Sequence, residues 1–330
     1  MISKRRQPRR AGSGGRPAAP VEPQAAGQPL RSWLFVPGDS ERKQDKALGS
    51  AADAVILDLE DSVAPAQLPA ARTRVASLLQ SRRPHGAPQL WVRPNAPGSG
   101  LLREDLEAIF AGGAPAGLVL PKVSAATEIT AVVRQLAGLE ARVGARAGQT
   151  RLLIIATETP AGVLALPQYP AVLGGVRGLR QRIAGLTWGG EDLSAALGAL
   201  AQRDKTGSLT FTFQLARTHC LLAAAALGAQ AIDGVCTDFR DPARLQHELD
   251  AARRDGFSGK LAIHPDQIAA INAAFAPTDA EREHAQRVVA AFATAPVAGV
   301  VSLDGRMIDR PHLLQAQRIL AAAQRARGGT

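Results

Sequence analysis

Cysteine is nearly absent: Cys220 and Cys236 are the only two in 330 residues. Two thiols without ligand-like spacing build neither a disulfide framework nor a zinc cluster, which suits small buried side chains in a reducing cytoplasm. Long apolar runs are missing as well. No stretch approaches the roughly 18 residues of a membrane span, and the start lacks the apolar segment of a secretory signal. Nucleotide fingerprints are absent too. Gly98-Ser99-Gly100 opens no GxGxxG and no Walker sequence occurs, so neither a dinucleotide turn nor a P-loop is indicated. The histidines His85, His219, His247, His284 and His312 have no ligand spacing. His264, before Pro265, is either a hydrogen-bonded structural histidine or a proton carrier.

What is present is an ordinary soluble composition, 46% hydrophobic and 21% charged, with enough chain for one large domain. The net charge of +10 is concentrated at the start. Within residues 1–31, Lys4, Arg5, Arg6, Arg9, Arg10, Arg16 and Arg31 face Glu22 alone, which leaves +4 for the remainder. That segment has no aromatic to stack on bases and no apolar face, so it reads as a solvated basic tail (1–30) rather than a nucleic-acid module or an organelle leader.

From Arg31 onward, short apolar runs alternate with Ala-, Leu-, Arg- and Glu-rich segments long enough for crossover helices. The runs are Ser32–Pro37, Ala54–Leu59, Gln89–Arg93, Gly117–Pro121, Arg151–Ile155, Ile183–Trp188, Ala231–Val235 and Lys260–Ile263. Each is mostly apolar rather than alternating, as strands buried on both faces should be. Eight strand–helix units predict an α/β fold, a (β/α)₈ TIM barrel over residues 31–276, with a doubly wound open sheet as competitor. Thr278 and Asp279 then cap a helix to about Phe292, Gly299–Asp309 reads as an irregular or hairpin segment, and Pro311 opens a last helix to about Arg325. Residues 277–330 are thus expected to form a C-terminal helical extension that covers the mouth or reaches a neighbouring subunit.

Charge placement favours the barrel, because the C-terminal ends of barrel strands converge on one face. Those ends carry Asp58, Glu60, Asp61, Arg93, Lys122, Glu158, Glu191, Asp192, Asp238 and His264. Glu158 and Asp192 each lie just beyond a buried strand, where two carboxylates can hold a hard divalent cation and leave positions for water and substrate oxygens. Each also has a structural reading: Glu158 as decoration of the helix opened by Pro160, Asp192 as a helix N-cap. Neither explains why two consecutive strands both end in acids beside glycines and small residues. Arg93, before Pro94, either pairs with the strand-2 carboxylates or offers donors to a substrate carboxylate or enolate oxygen. Asp58 and Glu60 are placed behind it, orienting Arg93 or a metal-bound water. Lys46 is either a solvated lysine or a partner for phosphate or carboxylate.

The ordered motifs RSWLFVPG (31–38), ADAVILDLEDSVAP (52–65), VRPN (92–95), LPKV (120–123), TETP (157–160), GGED (189–192), GKLAIHPDQI (259–268) and DGRMID (304–309) resemble the CitE-like branch of the HpcH/HpaI aldolase/citrate lyase family. The resemblance implies a TIM-barrel carbon–carbon lyase that parts a hydroxyacyl-CoA thioester, such as malyl-CoA or citramalyl-CoA, into an acyl-CoA and a 2-oxo acid. It implies Mg²⁺ held by Glu158 and Asp192, Arg93 at the thioester, and Phe35, Lys46, Glu191 and Pro265 around the substrate. It also implies Asp309 as a catalytic acid supplied by the adjacent subunit of a homotrimer or hexamer. Ser40 stands near where malyl-CoA lyases carry an arginine. The alternatives it leaves are a citrate lyase β subunit acting on an acyl-carrier-protein thioester, and a malyl-CoA thioesterase or malate synthase-like activity. A free-acid aldolase of the HpaI type would need a histidine near strand 2, and Asp61–Pro65 has none.

Overall fold

In the computed structural model the described residues are 29–81, 84, 86–176, 178–294 and 299–327, with side chains as far as Ala323. Residues 1–28 of the basic tail and His85 lie outside them. The eight strands are β1 (Ser32–Pro37), β2 (Ala54–Asp58), β3 (Gln89–Arg93), β4 (Gly117–Leu120), β5 (Arg151–Ile155), β6 (Ile183–Thr187), β7 (Gln230–Asp233) and β8 (Gly259–Ala262). All pair in parallel, and β1 closes on β8 through Ser32↔Lys260, Trp33↔Leu261 and Leu34↔Ala262. Closure rules out the open sheet and establishes the TIM barrel.

The period-two alternation of a strand explains both layers of the core. Inward positions Trp33, Ile56, Trp91, Val119, Leu153 and Leu261 fill the barrel, with the indoles of Trp33 and Trp91 edge to face at 4.7 Å between centroids. Outward positions such as Leu34, Val36, Val55, Leu57 and Leu118 pack under the helices, among them Leu68–Gln80, Leu102–Ala111, Ala126–Arg142, Phe211–Leu227 and Pro242–Asp255.

The helix Asp279–Ala293 starts at a capping box in which Thr278 and Glu281 satisfy each other's backbone N–H groups. It packs on the last helix, Arg310–Arg327, and on an antiparallel hairpin of β9 (Val300–Leu303) and β10 (Arg306–Asp309). Ala285, Val288, Phe292, Ile308 and Ala316 give this unit a core of its own. Among the described residues no helix is long and apolar enough to cross a membrane.

Candidate active site

The alternation that fills the barrel also supplies its upper layer of polar side chains. Asp58 and Arg93 are register partners at the ends of β2 and β3, so their side chains emerge together. Arg93 donates from Nε to Asp58 Oδ1 at 2.6 Å and from Nη2 to Oδ2 at 2.7 Å. Asp58 also accepts the backbone N–H groups of Glu60 and Ser62 and the Ser62 hydroxyl. Burial opposes its charge, but the guanidinium outweighs that cost and holds the carboxyl below the usual range. The pairing with strand 2 is therefore realised. Arg93 Nη1 remains directed at Glu60 Oε2 (3.1 Å) and Asp61 (3.4 Å), with its guanidinium over the Phe35 ring at 4.8 Å.

Glu158 follows β5 and is 4% exposed. Its Oε2 accepts the backbone N–H of Lys122 at 2.5 Å. Lys122 donates from a left-handed backbone (φ 51°), an unfavourable conformation for a residue with a Cβ. From the same residue the ammonium reaches Glu60 at 2.7 Å, Asp61 at 2.9 Å and Asp192 at 3.3 Å. Asp192 stands in the first turn of the helix Gly190–Leu197, whose N-cap is Gly189, so the capping role open to it from sequence is not the one it fills. The β6 turn lies flat against Glu158: a Cβ at Gly189 would fall 2.5 Å from Glu158 Cγ. Glycine is what allows the two acids to share one corner.

Burial pushes the Glu158 carboxyl up to about 8, against the Lys122 N–H and the Arg93 charge, with Asp192 and Glu60 adding to the rise. Burial likewise pushes Glu60 up to about 7, against the charges of Arg93 and Lys122. Glu60 has Arg93 and Lys122 beside it, whereas among the described residues no cation forms an ion pair with the desolvated Glu158 carboxyl, which is the environment a hard cation relieves. Among the described residues no group of three or more His, Cys, Asp and Glu side chains is placed to hold a metal. A cation here would have Glu158 and Asp192 as protein ligands and take oxygens from water and substrate for the rest, the pattern suited to Mg²⁺.

Stability follows the same groups. Their folded-state pKa values exceed the unfolded ones, so their contribution is complete below about pH 4.5 and is lost as pH rises through 7 and 8. At about 1.4 kcal/mol per unit, Glu158 alone accounts for on the order of 4 kcal/mol over that interval. Denaturant unfolding in EDTA is expected to show the wild type weakening between pH 5 and 8.5, with Glu158→Gln flattening the slope.

Phe35, Lys46, Asp58, Arg93, Glu158, Glu191, Asp192 and Pro265 all line one cavity of about 730 Å³ at this end of the barrel. Glu60 lies behind its wall. Asp238 is exposed and does not line the cavity, because β7 ends at Asp233 and the chain turns away before reaching it. His264 caps the turn Pro265–Gln267 through Nδ1 and stacks on Phe239 at 4.7 Å, so its structural reading holds, and the residue also lines the cavity. Asp309 is not among the lining residues; in its own chain it ends β10 and meets His312 Nδ1 at 2.5 Å. Sequence reading overlooked Arg42, Lys43 and Trp188, which also line the cavity. The run Arg42-Lys43 ahead of Lys46, on the helix after β1, was the available signal.

The HpcH/HpaI aldolase/citrate lyase family model matches residues 31–265. The chain is 35% identical over 298 residues to the (3S)-malyl-CoA thioesterase of Cereibacter sphaeroides, covering 90% of this chain and 95% of that protein. It is 36% identical over 301 residues to the mitochondrial citramalyl-CoA lyase of Rattus norvegicus, covering 89% and 86%. Among solved structures, CitE of Mycobacterium tuberculosis in complex with magnesium, acetoacetate and coenzyme A superposes with a TM-score of 0.69 at 34% identity, covering 91% of this chain and 99% of that one.

Proposed function

Since the chain belongs to the HpcH/HpaI aldolase/citrate lyase family, we propose that it is a magnesium-dependent carbon–carbon lyase that parts a 3-hydroxy-3-carboxyacyl-CoA thioester, such as malyl-CoA or citramalyl-CoA, into an acyl-CoA and a 2-oxo acid. The observation that carries this is the meeting of Glu158 and Asp192 on one cavity, with Glu158 buried and, among the described residues, in no ion pair. Bound there, Mg²⁺ supplies Lewis acidity at the substrate hydroxyl and carboxylate oxygens.

The chain's own groups do the remainder. Arg93, locked by Asp58, presents its guanidinium to the thioester oxygen on which enolate charge builds as the bond parts, without reorganising. The Lys122 ammonium keeps Glu60 and Asp61 from repelling the incoming carboxylates. Arg42, Lys43 and Lys46 give the cavity rim a positive field for a polyanionic CoA. Asp309 of a neighbouring copy exchanges a proton with the acyl carbon.

The test is a panel of purified malyl-CoA and citramalyl-CoA in Mg²⁺ or EDTA, followed by 2-oxo acid release. Glyoxylate or pyruvate is expected in Mg²⁺ and not in EDTA; undiminished release in EDTA sinks the proposal. The identity to a malyl-CoA thioesterase favours hydrolysis as a second reading. In that case free thiol and malate accumulate without matching glyoxylate.

A further inference from the structure

Between the outer wall of β7 and β8 and the helices Phe211–Leu227 and Pro242–Asp255 lies a set of buried charges that takes no part in the chemistry above. Asp233 alternates with inward-facing Ile232, and its register partner Lys260 alternates with inward-facing Leu261, so both point outward to the helices. Asp233 Oδ1 accepts from Arg217 Nε at 2.8 Å and from the Trp188 indole Nε1 at 2.7 Å, and Oδ2 accepts from Lys260 Nζ at 3.0 Å. Lys260 is 1% exposed and reaches Glu248 at 3.1 Å on its other side. Buried ion pairs of this kind are seldom a net gain over apolar side chains of the same volume.

What the network does hold is Trp188. That residue directly follows β6, and its indole walls the cavity. The next two residues rest on their surroundings without space to spare: Gly189 donates to Thr157 Oγ1 at 3.0 Å, and a Cβ on Gly190 would fall 2.5 Å from Gln202 Oε1 and 2.9 Å from the indole Cζ3. The turn is therefore held at one end by Thr157, two residues past β5, and at the other between Gln202 and the indole. Glu191 and Asp192 come immediately after it.

We propose that Asp233 is a positioning residue: by fixing the Trp188 indole from behind, it sets the turn that delivers Asp192 to the cavity, and so governs cation affinity while touching neither cation nor substrate. This rests on Glu158 and Asp192 being the cation ligands. Partners one layer out from metal ligands are worth about 10- to 100-fold in affinity.

The test titrates MgCl₂ alone into the full-length protein by calorimetry and records thermal unfolding in EDTA. Trp188→Phe keeps one aromatic ring and removes the indole N–H together with the fused second ring, leaving Asp233 with Arg217 and Lys260. Magnesium is expected to bind about tenfold more weakly, with a melting temperature in EDTA lowered by the lost packing but a cooperative transition retained. The double variant Asp233→Asn, Lys260→Met removes a charge pair together but keeps a carbonyl oxygen for the indole, and its affinity is expected to stay within about threefold of wild type. Wild-type affinity in Trp188→Phe overturns the proposal. So does a loss in the double variant as large as a tenfold one, which assigns the effect to charge rather than placement. Failure of the wild type itself to bind Mg²⁺ removes the assignment of Glu158 and Asp192, a result distinct from either.

Discussion

Glu158→Gln is expected to lower carbon–carbon cleavage by about 10³-fold or more, the several kcal/mol that a bound metal contributes at about 1.4 kcal/mol per factor of ten. The amide matches the carboxylate in size and still accepts the Lys122 N–H. It cannot offer a cation an anionic ligand. Loss of fold is not the cause to fear, since the native side chain is a desolvated acid whose ionised form is disfavoured. At pH 8 in EDTA the variant is accordingly expected to melt at or above the wild-type temperature, and to lose the upward shift that MgCl₂ gives the wild type. A variant that keeps both the shift and its turnover removes Glu158 from the site.

Asp309→Asn is expected to cost about 10²- to 10⁴-fold, the range for a general acid or base, while leaving Mg²⁺ binding intact. The more telling result comes from mixing. In its own chain Asp309 belongs to a hairpin and helix pair with a separate core, and it does not line the cavity. If one copy's Asp309 serves the next copy's Glu158, co-expressing Glu158→Gln with Asp309→Asn unites two unaltered residues in about one site of four around a randomly assembled ring. Each variant alone is inactive, and the mixed assembly recovers roughly a quarter of wild-type turnover. Zero recovery, with mixed assemblies verified by native mass spectrometry, shows the two residues acting from one chain.

The barrel was legible because buried parallel strands leave a largely continuous apolar signature, and all eight runs became strands with ends shifted by at most two residues. The meeting of Asp58 with Arg93 was legible for a related reason: Arg93 closes its run and Asp58 is one residue from the end of its own, and ends of runs converge. What resisted reading was everything decided by backbone direction after a strand. Asp238 looked equivalent to the other strand-end acids, but β7 stops five residues earlier and the chain has turned away by then. Lys122 was visible as a cation, yet only its left-handed backbone shows that one residue serves Glu158 with its amide and three other acids with its ammonium. Asp192 sits two residues inside its helix because glycine, with no side-chain cap, takes the boundary. Trp188 carried no polar pattern at all, and its attachment to Asp233 spans 45 residues of sequence.

The seam where β1 meets β8 has a bearing on how the molecule is made. Residue 32 leaves the ribosome long before residue 260, and at about 5–20 residues per second the interval is of order ten seconds or more. Throughout it the first strand has one neighbour in place and the other still unsynthesised, with the indoles of Trp33 and Trp91 awaiting a roof. Near that seam, Gln230 clasps the Leu30 backbone through both its amide atoms, a late-arriving fastener for the earliest strand. Nascent chains halted before Gln230 should therefore be the ones chaperones retain.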